Sequence, residues 1–217
     1  MKGLYFCKKT ESVRLFFLIF ILFTSLVRSQ VINNIDSILV YQNELNAKFK
    51  IEETSPLPIE SIPDFKGLVF FKPDTTFVVK AQFVRTPYET PFIMKTTTDR
   101  EPIYVKYGEA HFTLKGKEQV LTIYQNQQLK NEEEFANHLF LPFTDLTNGI
   151  SSYEGGRFLD VEIPEKDFII IDFNRAYNPY CAYNKLYSCP IPPKENHLDV
   201  EIKAGVKKQD KRITHDE

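Results

Sequence analysis

The sequence predicts an all-β protein, a mainly antiparallel barrel or sandwich, with one N-terminal amphipathic helix and a long ordered C-terminal loop. Three observations lead to this class. Short segments rich in β-branched and aromatic residues recur from residue 67 onward, turn-forming residues separate them, and only one stretch has a clear helical period. The sequence shows neither an internal repeat nor the strand–helix alternation that is typical of a parallel sheet.

The strand segments read GLVFF, TFVVKAQFVR, PFIMKTTT, PIYVKYGEAHFTL and KEQVLTIYQ, and LFLPF, RFLDVEI and DFIIIDFN continue the same pattern. The pair Lys115 and Gly116 has turn chemistry and indicates a hairpin between the segments on either side of it. We predict one mainly antiparallel sheet system with strands around residues 68–71, 77–85, 92–97, 102–114, 118–125, 157–163 and 168–174.

The helix is predicted over residues 34–50, where Asn33 and Asn34 can cap its first turn. One face collects the apolar side chains Ile35, Ile38, Leu39, Leu45 and Phe49. The other face carries Asp36, Gln42, Asn43, Glu44 and Lys50. A helix with this amphipathic pattern is expected to pack outside the sheet, with its apolar face inward. The prolines at positions 56, 58 and 63 then mark an extended connection.

Residues 1–29 have the layout of a secretory signal peptide, with Lys8, Lys9 and Arg14 before an apolar run and small residues before a cleavage point after Ser29. The apolar run covers residues 15–27, which is shorter than the roughly 18 residues that a spanning helix needs. We therefore expect export to the periplasm or the extracellular space. The alternative is a chain anchored in the membrane by an uncleaved signal.

Without residues 1–29 the formal net charge falls from −2 to about −6, because that segment holds five Lys or Arg and one Glu. An acidic chain of this kind is not expected to bind nucleic acid, and after cleavage no stable membrane span is expected. Residues 30–205 are predicted to form a single β-rich domain. Residues 206–217 have almost no apolar content and are predicted to be a disordered tail. The sequence leaves the oligomeric state open.

The blocks FTDLTNGISSYEGGRFLD, DFNRAYNPYCAYNKLYSCPIPPKENHL and a late Ala-Gly pair carry a family resemblance. They resemble the bacterial family known as domain of unknown function 1684, densely over residues 143–205 and more loosely through FKGLVFF and FVVKAQF. The resemblance implies a β-rich domain, and it brings no established activity, substrate or cofactor. Many members of that family carry a larger N-terminal half, whose place one helix takes here.

Candidate binding residues gather around the end of the last predicted strand. They are Arg157, Asp160, Asp172, Asn174, Tyr177 and Asn178. In one interpretation the guanidinium of Arg157 binds an anionic ligand through a bidentate hydrogen bond, with Asp172, Asn174 and Asn178 as its neighbours. In the other, Arg157 and Asp172 form a structural ion pair while the asparagines hold turn amides. Because a short turn joins the strands at 157–163 and 168–174, Asn174, Tyr177 or Asn178 is expected near Arg157.

Cys181 and Cys189 lie in a proline-bounded loop and leave three interpretations open. In an oxidising compartment they form a disulfide, with Cα atoms about 4.4–6.8 Å apart. A zinc site would add His197, although structural zinc ligands come in more closely spaced pairs. The third interpretation is a buried pair of free thiols. No metal ion or other cofactor is predicted, since the sequence has no Gly-rich phosphate loop, no G-x-S-x-G and no H-E-x-x-H motif.

Two functions remain. The first is a non-enzymatic exported protein that binds a small ligand or a protein partner at a polar site beside residues 172–196. The second is a hydrolase that uses Asp160 or Asp172 with Arg157 in the same cleft. An Asp172 carboxylate facing an open cleft would favour the enzyme. One held by Arg157 or by backbone amides would favour binding.

Overall fold

The computed structural model describes residues 35–209, which form a β half-barrel with one helix. Its strands are β1 (Val78–Arg85), β2 (Phe92–Ile93), β3 (Ile103–Leu114), β4 (Lys117–Asn126), β5 (His138–Asp145), β6 (Arg157–Glu162), β7 (Phe168–Asp172) and β8 (His197–Leu198). Six of them lie in the order β6-β5-β4-β3-β1-β7, all antiparallel. Strand β2 pairs with β3, and β8 pairs with β5 in parallel. The predicted all-β class is confirmed.

The hairpin between β3 and β4 forms where the turn chemistry predicted it. Leu114 pairs with Lys117, so the loop has only two residues. Both loop residues have positive φ, 51° at Lys115 and 76° at Gly116. This backbone suits the twist of a tight hairpin, and glycine adopts it without a steric penalty.

Two predicted strands are shorter than expected. The segment at 68–71 contributes one bridge, between Phe70 and Val206. Of the segment at 92–97, only β2 is a regular strand. The Thr96 hydroxyl lies 2.8 Å from the carbonyl oxygens of both Thr98 and Arg100, and these contacts stabilise a turn. Side-chain hydrogen bonds of this kind compete with a strand ladder.

Strand β5 was absent from the predicted sheet although its LFLPF core has strand character. It is buried on both faces. Leu139, Leu141 and Phe143 join the inner core of the half-barrel, while Phe140 joins an aromatic cluster on the outer face. The half-barrel is therefore covered on its outer face at this point, and the covering elements build the site described below.

Helix α1 covers residues 35–48, within the predicted range of 34–50. Its buried side differs from the predicted one, because Gln42 is buried and Leu39 is 43% exposed. Ile38 is also buried, and Phe49, just past the helix end, packs on Phe65 with ring centroids 5.5 Å apart. Within residues 35–209, no helix combines the length and the apolar character needed to cross a membrane.

The folded chain extends beyond residue 205, where the predicted tail was to begin. Val206 is fully buried and donates its backbone N–H to Ala176 O at 2.8 Å, and Lys207 N donates to Val69 O at the same distance. The predicted start of disorder at 206 is therefore wrong for residues 206–209, because the local polarity of the tail does not show these backbone pairings. The predicted signal peptide at 1–29 and the tail from residue 210 lie outside the described residues.

Residues 173–196 connect β7 to β8 across the outer face of the sheet. They contain three single turns of 3-10 helix, Phe173–Arg175, Tyr180–Ala182 and Lys194–Asn196. Isolated bridges tie the segment to the sheet at Phe158–Tyr177 and to a loop at Thr96–Pro190. We call residues 173–196 the covering segment.

Candidate functional site

A cleft of about 660 Å³ lies between the outer face of the sheet, helix α1 and the covering segment. Its floor comes from β3, β4, β5 and β6, whose side chains on this face are Tyr104, Asn126, His138, Phe140, Phe158 and Asp160. One wall is α1, through Tyr41, Glu44, Leu45 and Lys48. The opposite wall is residues 177–190 of the covering segment. Strand alternation places Phe158 and Asp160 on the same face of β6, which is why a carboxylate lies beside an aromatic floor.

Aromatic rings dominate the lining of the cleft. Six of the 11 tyrosines of the chain line it: Tyr41, Tyr104, Tyr177, Tyr180, Tyr183 and Tyr187. The rings pack edge-on against one another, as between Phe158 and Tyr177 at 6.0 Å and between Tyr180 and Tyr187 at 5.3 Å. Edge-to-face packing of this kind fixes ring orientation and stabilises the wall.

Asp160 is the carboxylate on the cleft floor. It accepts hydrogen bonds from the Tyr177 hydroxyl at 2.9 Å and from His138 Nε2 at 2.8 Å. Its side chain is 50% exposed, so part of the carboxylate faces the cleft. The His138 ring is oriented by Asp160 and by an edge contact with Phe135 at 5.8 Å.

The negative charge of Asp160 acts on the surrounding tyrosines. Burial is the main reason why the pKa of Tyr177 lies well above its usual value, and Asp160 raises that pKa further. The same two causes, in the same order, raise the pKa of Tyr41 and of Tyr180. These hydroxyls therefore stay neutral and remain hydrogen-bond donors over the physiological pH range.

Asn178 adds an unsatisfied acceptor to the lining. The residue is 2% exposed, and its Oδ1 has no hydrogen-bond partner within residues 35–209. Its Nδ2 is engaged, donating to the Tyr183 hydroxyl and to Lys207 O, each at 3.2 Å. A buried acceptor without a partner is costly for stability, and a ligand or a water molecule can complete its bonding.

Arg157 is not part of this cleft, and its predicted pairing with Asp172 is wrong. The guanidinium is fully buried and donates to Asp145 Oδ2 at 2.7 Å. It also donates to the backbone carbonyls of Ala204 and Ile202. Arg157 therefore connects the ends of β5 and β6 to the chain near residue 203. Its buried guanidinium is not available to bind a ligand.

The reason for the wrong pairing is the strand order. Strands β6 and β7 are consecutive and joined by a short turn, yet they are the two edges of the sheet and share no ladder. Arg157 instead pairs across the ladder with Phe143, which brings Asp145 within reach. The hairpin assumed between the last two predicted strands does not form.

Asp172 and Asn174 have local structural roles away from the cleft. Asp172 Oδ1 accepts from the backbone N–H of Asn174 at 2.9 Å and from its Nδ2 at 2.8 Å. Asn174 in turn accepts from Asp74 N and donates to Asp74 O, both at 2.9 Å. Of the predicted site residues, Asp160, Tyr177 and Asn178 line one cleft, whereas Arg157, Asp172 and Asn174 do not.

Asn196, which was not singled out from the sequence, performs the same kind of bridging between β4 and β5. Its Oδ1 accepts from Thr122 N at 2.9 Å, and its Nδ2 donates to Thr122 O at 2.8 Å and to Pro142 O at 2.7 Å. Pro142 has no amide hydrogen to donate to β4, and the two strands share only the pair Tyr124–Phe140. The Asn196 side chain therefore replaces a missing peptide group. The only sequence signal for it was its place at the end of the C-P-x-P-P-x-x-N block.

Cys181 and Cys189 are neighbours in the covering segment but form no disulfide in this structure. Cys181 N donates to Cys189 Sγ at 3.2 Å. No three His, Cys, Asp or Glu side chains within residues 35–209 lie close enough to hold a metal ion. His197, the third ligand of the zinc alternative, instead contacts the Thr144 hydroxyl through Nδ1 at 3.0 Å.

The thiol pair predicts a pH-dependent reactivity. A hydrogen bond from Cys189 is the main cause that lowers the pKa of Cys181 to about 7, against the opposing effect of burial. Because the thiolate is the nucleophile, alkylation of Cys181 by iodoacetamide should increase as pH rises through about 7. Mass spectrometry of protein purified without reductant measures this profile, and Cys189→Ala should shift it to higher pH. Labelling that requires a reductant would instead reveal a disulfide.

The fold and the cleft together define a β half-barrel with an aromatic cleft that has a carboxylate on its floor. The model of the family described as "Protein of unknown function (DUF1684)" matches residues 63–207. The chain belongs to this family, and the resemblance found in the sequence is confirmed.

A relative of known structure has the same architecture. The chain is similar to the uncharacterized protein from gene locus rrnAC0354 of Haloarcula marismortui, whose structure was solved by solution NMR. The sequences are 31% identical, the match covers 82% of this chain and 96% of that one, and the TM-score is 0.64. No curated protein shows significant similarity to this chain.

Proposed function

We propose that this protein binds a small molecule in the aromatic cleft between α1, the outer face of the sheet and the covering segment. The observation that carries the proposal is one partly exposed carboxylate, Asp160, on the floor of a cleft of about 660 Å³ lined by six tyrosines. Small-molecule sites typically have volumes of about 300–1,000 Å³ and combine apolar walls with a few oriented polar groups.

The surrounding structure supports a preformed site. Tyr177 is held by a backbone bridge to Phe158, with N···O distances of 2.9 and 3.0 Å, and by the hydrogen bond of its hydroxyl to Asp160. Side chains held in this way lose little conformational entropy when a ligand arrives. Asn178 Oδ1 accepts no hydrogen bond from the described residues, so a ligand can provide its donor.

A hydrolase is the second candidate, and the contact between His138 and Asp160 is the observation that favours it. A carboxylate that orients a histidine is a common device for activating a nucleophile. The version of this hypothesis that uses Arg157 loses its support, because Arg157 is buried in an ion pair with Asp145. Asp172 is held by the backbone amide of Asn174, an environment that favours binding over acid–base work.

We also propose that the chain is exported to the periplasm or the extracellular space, as the layout of residues 1–29 indicates. Sequencing the N-terminus of the native product should identify Gln30 as the first residue. Intact residues 15–27 in a membrane fraction would instead support the anchored alternative.

Ligand binding can be tested with a library of small aromatic compounds screened by ligand-observed NMR. In amide spectra of the isotope-labelled protein, the binders should then shift the backbone amides of α1 and of residues 177–190. Tyr180→Ala should weaken their binding by up to about ten-fold, because contacts between aromatic rings are each worth about 0.5–1.5 kcal/mol. Tyr88→Ala is the matched control, since Tyr88 is 97% exposed and lies outside the cleft.

Two results would count against the proposal. One is a library in which no compound binds. The other is binding that Tyr180→Ala and Tyr88→Ala affect equally. Conversion of a bound ester or amide to products, lost in His138→Gln, would decide in favour of the hydrolase.

A further inference from the structure

We infer that the ligand of the aromatic cleft is an organic ammonium ion, held against the tyrosine rings with Asp160 as its counter-ion. This inference rests on the proposed function, since it names the chemical class of the small molecule that the cleft binds. Three features of the cleft carry it: the position of the carboxylate, two acceptor groups that can take a further hydrogen bond, and the contacts that the neighbouring cations already make.

The carboxylate of Asp160 lies among aromatic rings. Its two protein partners, the Tyr177 hydroxyl and His138 Nε2, are both donors. The Tyr177 hydroxyl stays neutral, so it leaves the charge of the carboxylate in place. A cation at this point would meet both a negative charge and the negative faces of tyrosine rings, the combination that recognises ammonium groups.

Two acceptor groups of the cleft can also take a further hydrogen bond. Asn178 Oδ1 is a buried acceptor without a partner, and Asp160 is half exposed. An ammonium group can donate to the Asp160 carboxylate beside its two existing donors, and it would give Asn178 Oδ1 its first donor. An anionic ligand would bring further acceptors and would leave Asn178 Oδ1 unsatisfied.

The positively charged side chains around the cleft either contact other groups of the protein or lie near an opposite charge. Arg100, at the rim, donates through Nη2 to Ser188 O at 2.9 Å. Lys48 and Glu44 are exposed and four residues apart on α1, a spacing at which opposite charges offset each other. Arg175 is not part of the cleft lining, and its guanidinium lies 4.6 Å from the Tyr41 ring centroid. The Tyr41 ring therefore already makes one cation–π contact.

The test uses three probes of one size and different charge: benzylammonium, benzyl alcohol and benzoate, at pH near 7. Their dissociation constants for the purified protein are measured by ligand-observed NMR. Benzylammonium should bind at least about ten-fold more tightly than benzoate, a factor that corresponds to about 1.4 kcal/mol. Benzyl alcohol should lie between the two, since it keeps the ring contacts without the charge.

Variants then assign the preference to Asp160. Asp160→Asn should reduce the affinity for benzylammonium to about that for benzyl alcohol, because the variant removes the counter-ion and keeps the aromatic lining. Asp160→Glu should retain the preference, which separates loss of charge from loss of fold. Asp199→Asn is the control, because this exposed carboxylate pairs with Lys117 outside the cleft and its loss changes the net charge equally.

The outcomes separate the two proposals. Benzyl alcohol bound in the cleft without a preference for the cation overturns the ammonium inference and leaves the binding function standing. A preference that survives Asp160→Asn overturns it as well. Failure of all three probes and of the wider aromatic library overturns both.

Discussion

Replacing Arg157 with methionine is expected to lower the free energy of unfolding by about 3–5 kcal/mol, because it leaves the buried Asp145 carboxylate without its counter-charge. Both side chains have no solvent exposure, and Nη2 of Arg157 lies 2.7 Å from Asp145 Oδ2. The substitution also removes the donors that satisfy the carbonyls of Ala204 and Ile202. Urea unfolding followed by circular dichroism measures the effect.

Two comparisons make this prediction specific. Arg85→Met removes an exposed guanidinium that contacts Tyr107, and it should cost less than about 1 kcal/mol. The double variant Arg157→Met, Asp145→Asn should be more stable than Arg157→Met alone, since it buries no unpaired charge. A loss below about 1 kcal/mol for Arg157→Met would contradict the structural role given to the ion pair.

Asn196→Ala is the second change with a large expected effect. It leaves three buried backbone groups without partners, Thr122 N, Thr122 O and Pro142 O. Each such group costs about 1–3 kcal/mol, so we expect a loss of about 3–5 kcal/mol in the free energy of unfolding. In a variant that still folds, hydrogen exchange of the Thr122 amide should also become much faster.

The matched control is Asn137→Ala, an exposed asparagine in the turn before β5. It should change the free energy of unfolding by no more than about 0.5 kcal/mol. Unchanged exchange protection of the Thr122 amide in Asn196→Ala would show that β4 and β5 are joined without the bridging side chain.

Some residues of the candidate site could be predicted from the sequence, and others could not. The covering segment was recognised as specialised because its prolines, tyrosines and asparagines are concentrated within one stretch. Tyr177 and Asn178 were selected there, and Asp160 was selected on β6, and all three line the cleft. His138 and Tyr41 were not selected, because nothing in their local sequence shows that a strand and a distant helix face the same carboxylate.

The partner of Arg157 could not be found from the sequence because it depends on the order of strands within the sheet. Asp145 and Asp172 are both acidic residues at the end of a strand, and they lie at similar distances along the chain from Arg157. Only the pairing of β6 with β5 brings Asp145 close, and the separation of β6 and β7 to opposite edges keeps Asp172 away.

The class of fold, the single helix and the hairpin at Lys115–Gly116 could be predicted from the sequence, since alternation, helical period and turn chemistry are local properties of the chain. The tertiary structure alone decided that the sheet is an open half-barrel, that residues 206–209 belong to the fold, and that Asp160 lies among tyrosines from three separate parts of the chain. These features depend on which segments meet across the sheet. Which segments meet depends on the burial of apolar side chains and on the need to hydrogen-bond every buried backbone group. The hydrogen bond from Asn196 to the carbonyl of Pro142 is an example.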